Sequence, residues 1–261
     1  MKLLVKLGGT LLDTPDSRDR LAVELVAASK QHELIVVHGG GKQMTRYLAE
    51  HGIQSRFVNG LRVTTTETLD AVLKIFAGSV NHELVASLNR AGALAVGLSG
   101  IDALIAEAEQ MDPALGAVGR VTKSNPALLH LLTANGYLPV VACVAGDHHG
   151  QVYNVNADQM AVACAAAWGA SQLVFLTDVE GVLDESRCVR PVLTAQESQR
   201  FIAAGVATGG MQAKLNAALT AVESGVEQVH IAPGAASEIL ARILAGEAVG
   251  TRIVLSEVHV A

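Results

Sequence analysis

An α/β chain is predicted: a three-layer αβα sandwich around a central, mostly parallel sheet. Two observations predict it. Short, nearly continuous apolar runs recur along the chain, the pattern of strands covered on both faces. Amphipathic stretches of helical length alternate with them, which places helices on both sides of a parallel sheet. The strands read, in order, as "LLVKL", "LIVVH", "LAVGL", "LPVVAC", "LVFLTD", "QVHIA" and "TRIVL". The helices read as residues 17–30, 42–52, 66–90, 126–135, 158–169, 195–204, 211–224 and 237–244. Thr64 with Glu67 forms a capping box for the third of these. Segments 103–123 and 145–158 break the rhythm with short alternating runs and turn residues. Both read as hairpins projecting from one edge of the sheet. A lobe boundary is expected near Ala170, dividing 1–170 from 171–261.

Composition narrows the function. The chain has 261 residues, half of them hydrophobic and 17% charged, enough for a substantial core. The net charge of −6 argues against a nucleic-acid binder, and 3% aromatic residues leave little for base stacking. No apolar run approaches the roughly 18 residues that span a bilayer. The opening "MKLLVKLGG" puts a second lysine and two glycines where a signal sequence would continue its apolar core. A chain that stays in the cytoplasm, without membrane or nucleic-acid partners, is expected. Cys143, Cys164 and Cys188 are widely spaced, which suits reduced core thiols rather than disulfides or zinc.

Ligands of open parallel sheets bind beyond the carboxyl ends of the strands. Two glycine clusters fall there: Gly8-Gly9 after the first strand, and Gly39-Gly40-Gly41 after the second. Glycine lets the backbone approach a ligand with its N–H groups aimed inward. The helix starting near Lys42 adds a positive dipole end. "GGGKQM" spells neither a dinucleotide fingerprint nor a Walker loop. Each cluster is also compatible with nothing more than a tight strand-to-helix turn.

Lys6 interrupts an apolar strand. Alone it reads as a lysine snorkelling from a strand end. Lys214 changes the weighing, because "TGGMQAKLNAAL" places it in or near the first turn of a helix, where a cation opposes the dipole. Asp158 stands at the start of an apolar helix with Asn156 as its N-cap. Asp158 alone is read as a helix-start charge; placed between the two lysines, it would hold both ammonium groups in place. Arg62 follows a turn-like Asn59-Gly60, and its planar guanidinium suits a carboxylate. His38 is read as structural, since no second His or Cys lies at ligand spacing.

The strings "VKLGG", "VVHGGG", "NGLRVT", "LGAVGRV", "NGYLPVV", "NVNADQ", "FLTDVEGVLD", "TGGMQAKLNAA" and "GTRI" together resemble the amino-acid kinase family, in its order and across essentially the whole chain. Within it they resemble members acting on N-acetyl-L-glutamate. The resemblance implies the amino-acid kinase fold and transfer of the ATP γ-phosphoryl group to the substrate γ-carboxylate, with Mg²⁺ carried mainly by the ATP phosphates and no protein ligand named. It implies that Lys6 and Lys214 stabilise the phosphoryl, that Asp158 organises them, and that Gly8, Gly9 and Gly40 donate N–H groups to it. Arg62 would grip the substrate α-carboxylate, with Gly39, Gly40 and Asn154 also touching the substrate. Asp178, Gly181, Thr208 and Met211 would line the nucleotide site. The first lobe would bind substrate and dimerise, the second bind ATP.

Some members carry an extra helix before the first strand and are inhibited by arginine. Here the strand begins within a few residues of Met1, so an arginine-insensitive homodimer is expected, joined through the long helix after Arg62. Lys42, Glu180 and "GIDAL" depart from common spellings and bear on fine details of both sites. The nearest rival is a kinase of carrier-linked aminoadipate, which usually shows Ser-Arg where Val63-Thr64 stand here. A catalytically inactive sensor is a remoter alternative, disfavoured because both lysines and the carboxylate are present.

Overall fold

The computed structural model describes residues 1–256. Its first half runs through β1 (Lys2–Leu7), a 3-10 turn (Gly9–Leu12), α1 (Pro15–Ser29), β2 (Glu33–His38), α2 (Gly41–Glu50), and the two-residue strands β3 (Phe57–Val58) and β4 (Leu61–Arg62). A continuous helical stretch follows: α3 (Thr66–Val72), a π-helical segment (Leu73–Val80) and α4 (Asn81–Arg90). Then come β5 (Ala95–Ser99), β6 (Glu107–Gln110), β7 (Val118–Lys123), α5 (Ala127–Ala134), β8 (Leu138–Ala142), β9 (Val144–Gly146), β10 (Val152–Val155) and α6 (Ala157–Trp168). The remainder is β11 (Gln172–Thr177), β12 (Val192–Thr194), α7 (Ala195–Ala203), α8 (Gly209–Glu223), β13 (Gln228–Pro233), α9 (Ile239–Leu244) and β14 (Thr251–Val254).

Eight strands form the central sheet in the order β12-β14-β13-β11-β1-β2-β8-β5. All neighbours are parallel except β13 and β14. Period-2 alternation sends the side chains of each strand to two separate cores. Leu3, Val5 and Leu7 of β1 pack with α1, α4 and α9 on one side. Leu4 packs with α2, α5, α6 and α8 on the other. Lys6 shares the parity of Leu4, so it points toward α6 and α8.

Several expectations need correction. The two hairpins do form, β6–β7 and β9–β10, but they pair with each other into a small closed four-stranded barrel. The cap of α3 is Thr65, whose side chain accepts from Thr68 N–H, and not Thr64. Thr64 is committed elsewhere: its hydroxyl donates to Arg62 O at 2.8 Å. The expected helix over 66–90 is unbroken but carries the π segment. Cys143 and Cys164 are buried, whereas Cys188 is exposed and is no core thiol. Asn59 and Gly60 both take positive φ (48° and 79°), as a tight hairpin turn between β3 and β4 requires. Among the described residues no helix is long and apolar enough to cross a membrane.

Candidate active site

Three charged side chains from distant parts of the chain meet at the carboxyl edge of the sheet. β1 supplies Lys6, only 7% exposed in spite of its charge. Asn156 caps α6 by accepting from Asp158 N–H at 2.9 Å and Gln159 N–H at 3.3 Å, which sets Asp158 in the first turn. α8 packs on α6 and brings Lys214. Lys6 Nζ lies 2.6 Å from Asp158 Oδ1, and Lys214 Nζ lies 3.5 Å from Oδ2. Burial is the largest influence on Asp158 and opposes its ionisation. The two lysines together outweigh it and hold the carboxyl below its ordinary range. α8 begins at Gly209, so Lys214 sits in its second turn. The conflict with the helix dipole expected from the sequence is therefore weak, because that effect fades within the first turn.

Two glycine loops border this cluster. The N–H of Gly8 donates to Leu176 O at 2.9 Å, continuing the β1–β11 ladder. The amide donor expected at Gly8 is thus already used, and Gly8 serves close packing: an added Cβ would stand 3.3 Å from Leu176 O. Gly9 opens the 3-10 turn. Gly39 leads toward α6, its Cβ position 3.4 Å from Ala157 Cβ, next to Asp158. Gly40 lies against Phe76 of the π segment, where a Cβ would fall 2.8 Å from the ring. A side chain at 40 would collide with that ring, and the first-turn N–H groups of α2 have no intrahelical acceptor. Cys143 is also beside the cluster, but burial pushes its thiol up to about 12, which keeps it protonated and inert as a nucleophile at neutral pH.

Arg62 reaches the far side of the Gly39–Gly41 loop. Its Nη2 donates to Gly41 O at 3.2 Å and to Thr45 Oγ1 at 2.7 Å, while Nη1 donates to Ser55 Oγ. The guanidinium stacks 4.6 Å over the Phe57 ring. No carboxylate among the described residues lies within 4 Å of it, although the residue is 8% exposed. Burial lowers its pKa. Asn154 joins this group through Thr64: Asn154 Nδ2 donates to Thr64 Oγ1 at 3.0 Å, and Thr64 is bonded to the Arg62 backbone.

The remaining expected residues are more scattered. Asp178 is exposed at the end of β11 and accepts from Thr177 Oγ1 at 3.1 Å. Gly181 is buried at φ 151°, with Thr251 Oγ1 and Val189 Cγ1 each 2.8 Å from where a Cβ would sit. Thr208 precedes α8 without a side-chain cap, and its carbonyl accepts from Met211 N–H at 3.1 Å. Met211 packs half-buried against the core. Apart from that Met211–Thr208 backbone bond, no hydrogen bond joins these four to one another among the described residues. Sequence reasoning missed Thr64, Ser55 and Thr45 as partners of Arg62, and Asn81 as the partner of His38. Asn81 falls on the buried side of the predicted helix, and a polar residue there was the available signal.

Residues 1–233 match the amino acid kinase family. The chain is 74% identical over 255 residues to an acetylglutamate kinase of Solibacter usitatus, covering 97% of this chain and 99% of that protein. It is 43% identical over 245 residues to an acetylglutamate kinase of Acidobacterium capsulatum, covering 92% and 94%. In three dimensions it resembles N-acetylglutamate synthase from Neisseria gonorrhoeae, complexed with coenzyme A and N-acetyl-glutamate. That match has TM-score 0.88 and 25% identity, and covers 98% of this chain and 60% of the larger structure. The chain belongs to the amino acid kinase family.

Proposed function

We propose that this chain transfers the γ-phosphoryl group of ATP to the γ-carboxylate of N-acetyl-L-glutamate. The products are N-acetyl-L-glutamyl 5-phosphate and ADP, in the second step of arginine biosynthesis. The observation that carries the mechanism is the pair of ammonium groups gathered on one buried carboxylate beside the glycine loops. The nucleophile is a carboxylate already ionised at neutral pH, so no general base is needed. The difficulty is the meeting of two anions, and catalysis is positioning plus electrostatic stabilisation. Lys6 and Lys214 neutralise the phosphoryl in transit. Asp158 holds them together and takes no proton. Backbone N–H groups of Gly9 and Gly40 complete the cradle.

Arg62 pairs with the substrate α-carboxylate, giving its buried cation a counter-charge that no described residue supplies. Gly39, Gly40 and Asn154 shape the rest of that pocket. Asp178, Gly181, Thr208 and Met211 face the nucleotide, in a C-terminal lobe (171–261) that closes on a substrate-binding lobe (1–170). Both oxygens of Asp158 are committed to lysines, and no group of three or more potential ligand side chains converges among the described residues. This donor set fits Mg²⁺ borne on the ATP phosphates, where it would offset their charge. The enzyme acts in the cytoplasm as a homodimer joined through the helix over 66–90.

ADP release dependent on acetylglutamate, with the acyl phosphate trapped by hydroxylamine, tests the activity. Faster turnover of carrier-bound aminoadipate would overturn the substrate assignment. Arg62→Lys is expected to raise KM for acetylglutamate about 10- to 100-fold while kcat changes little, since the fork geometry is lost but the reacting groups remain. Steady-state kinetics that show an unchanged KM would remove Arg62 from the substrate site.

A further inference from the structure

β2 ends at His38, and the triple glycine follows at once. His38 shares the parity of Leu34 and Val36, so it lies on the face of the sheet opposite Lys6. There it is fully buried. His38 Nε2 lies 2.9 Å from Asn81 Nδ2, at the junction of the π segment with α4, and His38 Nδ1 lies 2.7 Å from Gly39 O. The same Asn81 nitrogen is 2.9 Å from Val140 O and 3.3 Å from Leu98 O. Carbonyl oxygens only accept, so this atom must be the amide NH₂ that donates. His38 Nε2 is then an acceptor, and the single ring proton sits on Nδ1, directed at Gly39 O. Burial brings the imidazole down to about 4, against a smaller opposing influence from the Gly39 bond, so the neutral ring persists at neutral pH.

The carbonyl of Gly39 and the N–H of Gly40 belong to one peptide plane. In a trans peptide they point in opposite directions, and the described chain contains no cis peptide. Drawing Gly39 O back onto the imidazole therefore turns the Gly40 N–H away from it. No acceptor among the described residues takes that N–H. Neither glycine has a side chain to hold the plane, and without the imidazole this peptide is free to rotate. Phe76 and Val80 bracket the Gly40 Cα from the π segment, the same segment that delivers Asn81.

We infer that His38 is a positioning residue for phosphoryl transfer. From the rear of the sheet it fixes the Gly39–Gly40 peptide so that the Gly40 N–H faces the transferring group, and Asn81 selects the tautomer that allows it. The inference rests on the functional reading above, through Gly40 as a phosphoryl donor.

Two variants separate positioning from core filling. His38→Asn places an amide near the Nδ1 position and keeps a donor for Gly39 O, but cannot reach Asn81. His38→Gln reaches Asn81 and leaves Gly39 O without a donor. The Gln variant is expected to lose about 100-fold in kcat, the scale of one misdirected oxyanion donor, with KM values nearly unchanged. The Asn variant is expected to lose no more than about 5-fold, at a similar melting temperature. Nitrogen-15 NMR of the wild-type ring is expected to show Nδ1 protonated and Nε2 bare from pH 6 to 8. Equal kcat losses in both variants, or an Nε2-protonated ring, would overturn the inference. A wild type that does not turn over acetylglutamate would instead overturn the reading of the site, while the NMR still decides the tautomer.

Discussion

Lys214→Ala is expected to yield a folded protein whose kcat has fallen about 1,000-fold, with little change in KM for either substrate. A cation that acts on a phosphoryl group in transit stabilises charge that is absent from the ground state, and its loss appears in kcat. Lys214 is the more exposed of the two lysines and the more distant from Asp158, so the tight Lys6–Asp158 contact survives its removal. Lys6→Ala should cost as much in rate and more in stability, because Asp158 would keep only the longer contact in a buried setting. Steady-state kinetics beside circular dichroism check both, and near-normal kcat in either variant would refute the assigned roles.

Asp158→Asn is expected to damage stability and rate together. The asparagine fits the space but removes the charge that, among the described residues, offsets Lys6, and breaking a buried ion pair from one side costs about 3–5 kcal/mol. The two ammonium groups, no longer bridged, repel and splay, so kcat falls as well. The pH dependence has a definite sign. The carboxyl titrates lower when folded than when unfolded, so its stabilisation is whole above the ordinary carboxylate range and is lost as pH falls through the lowered folded value. Urea unfolding of both proteins should therefore show a wide gap at pH 7 that narrows in acid below about pH 4. A gap that stays constant into strong acid would mean the ion pair contributes nothing to folding.

The regular architecture was legible because periodicity and parity are local properties of the chain. The apolar runs at 34–38 and 138–143 read as strands covered on both faces, and the capping of α6 by Asn156 was plain in "NVNADQ". The convergence of Lys6, Asp158 and Lys214 was legible only as a set, since each residue alone fits a surface or helix-end role. The π segment was not legible: shifting hydrogen bonds from i+4 to i+5 leaves the apolar pattern of 66–90 nearly unchanged. Nor was the occupied amide of Gly8, which depends on the register of β1 against β11. The His38–Asn81 contact joins two separate elements, and nothing near either residue in sequence announces the other. β12 escaped because a three-residue edge strand, paired among the described residues only with β14, carries too short a pattern to stand out.

β1 lies inside the sheet, between β2, which follows it almost at once, and β11, which is synthesised much later. During translation one flank of this strand finds its neighbour early, while the other keeps a row of bare amides and carbonyls until most of the chain has been made. Pairings of such long sequence separation slow folding and leave an adhesive ridge open in the meantime. The same arrangement means that a nascent chain ending before β11 lacks Lys214 and the flank that Gly8 bonds to. The Lys6–Asp158–Lys214 cluster can assemble only after β11 has been made and α8 has followed it, and not piecemeal as the polypeptide emerges.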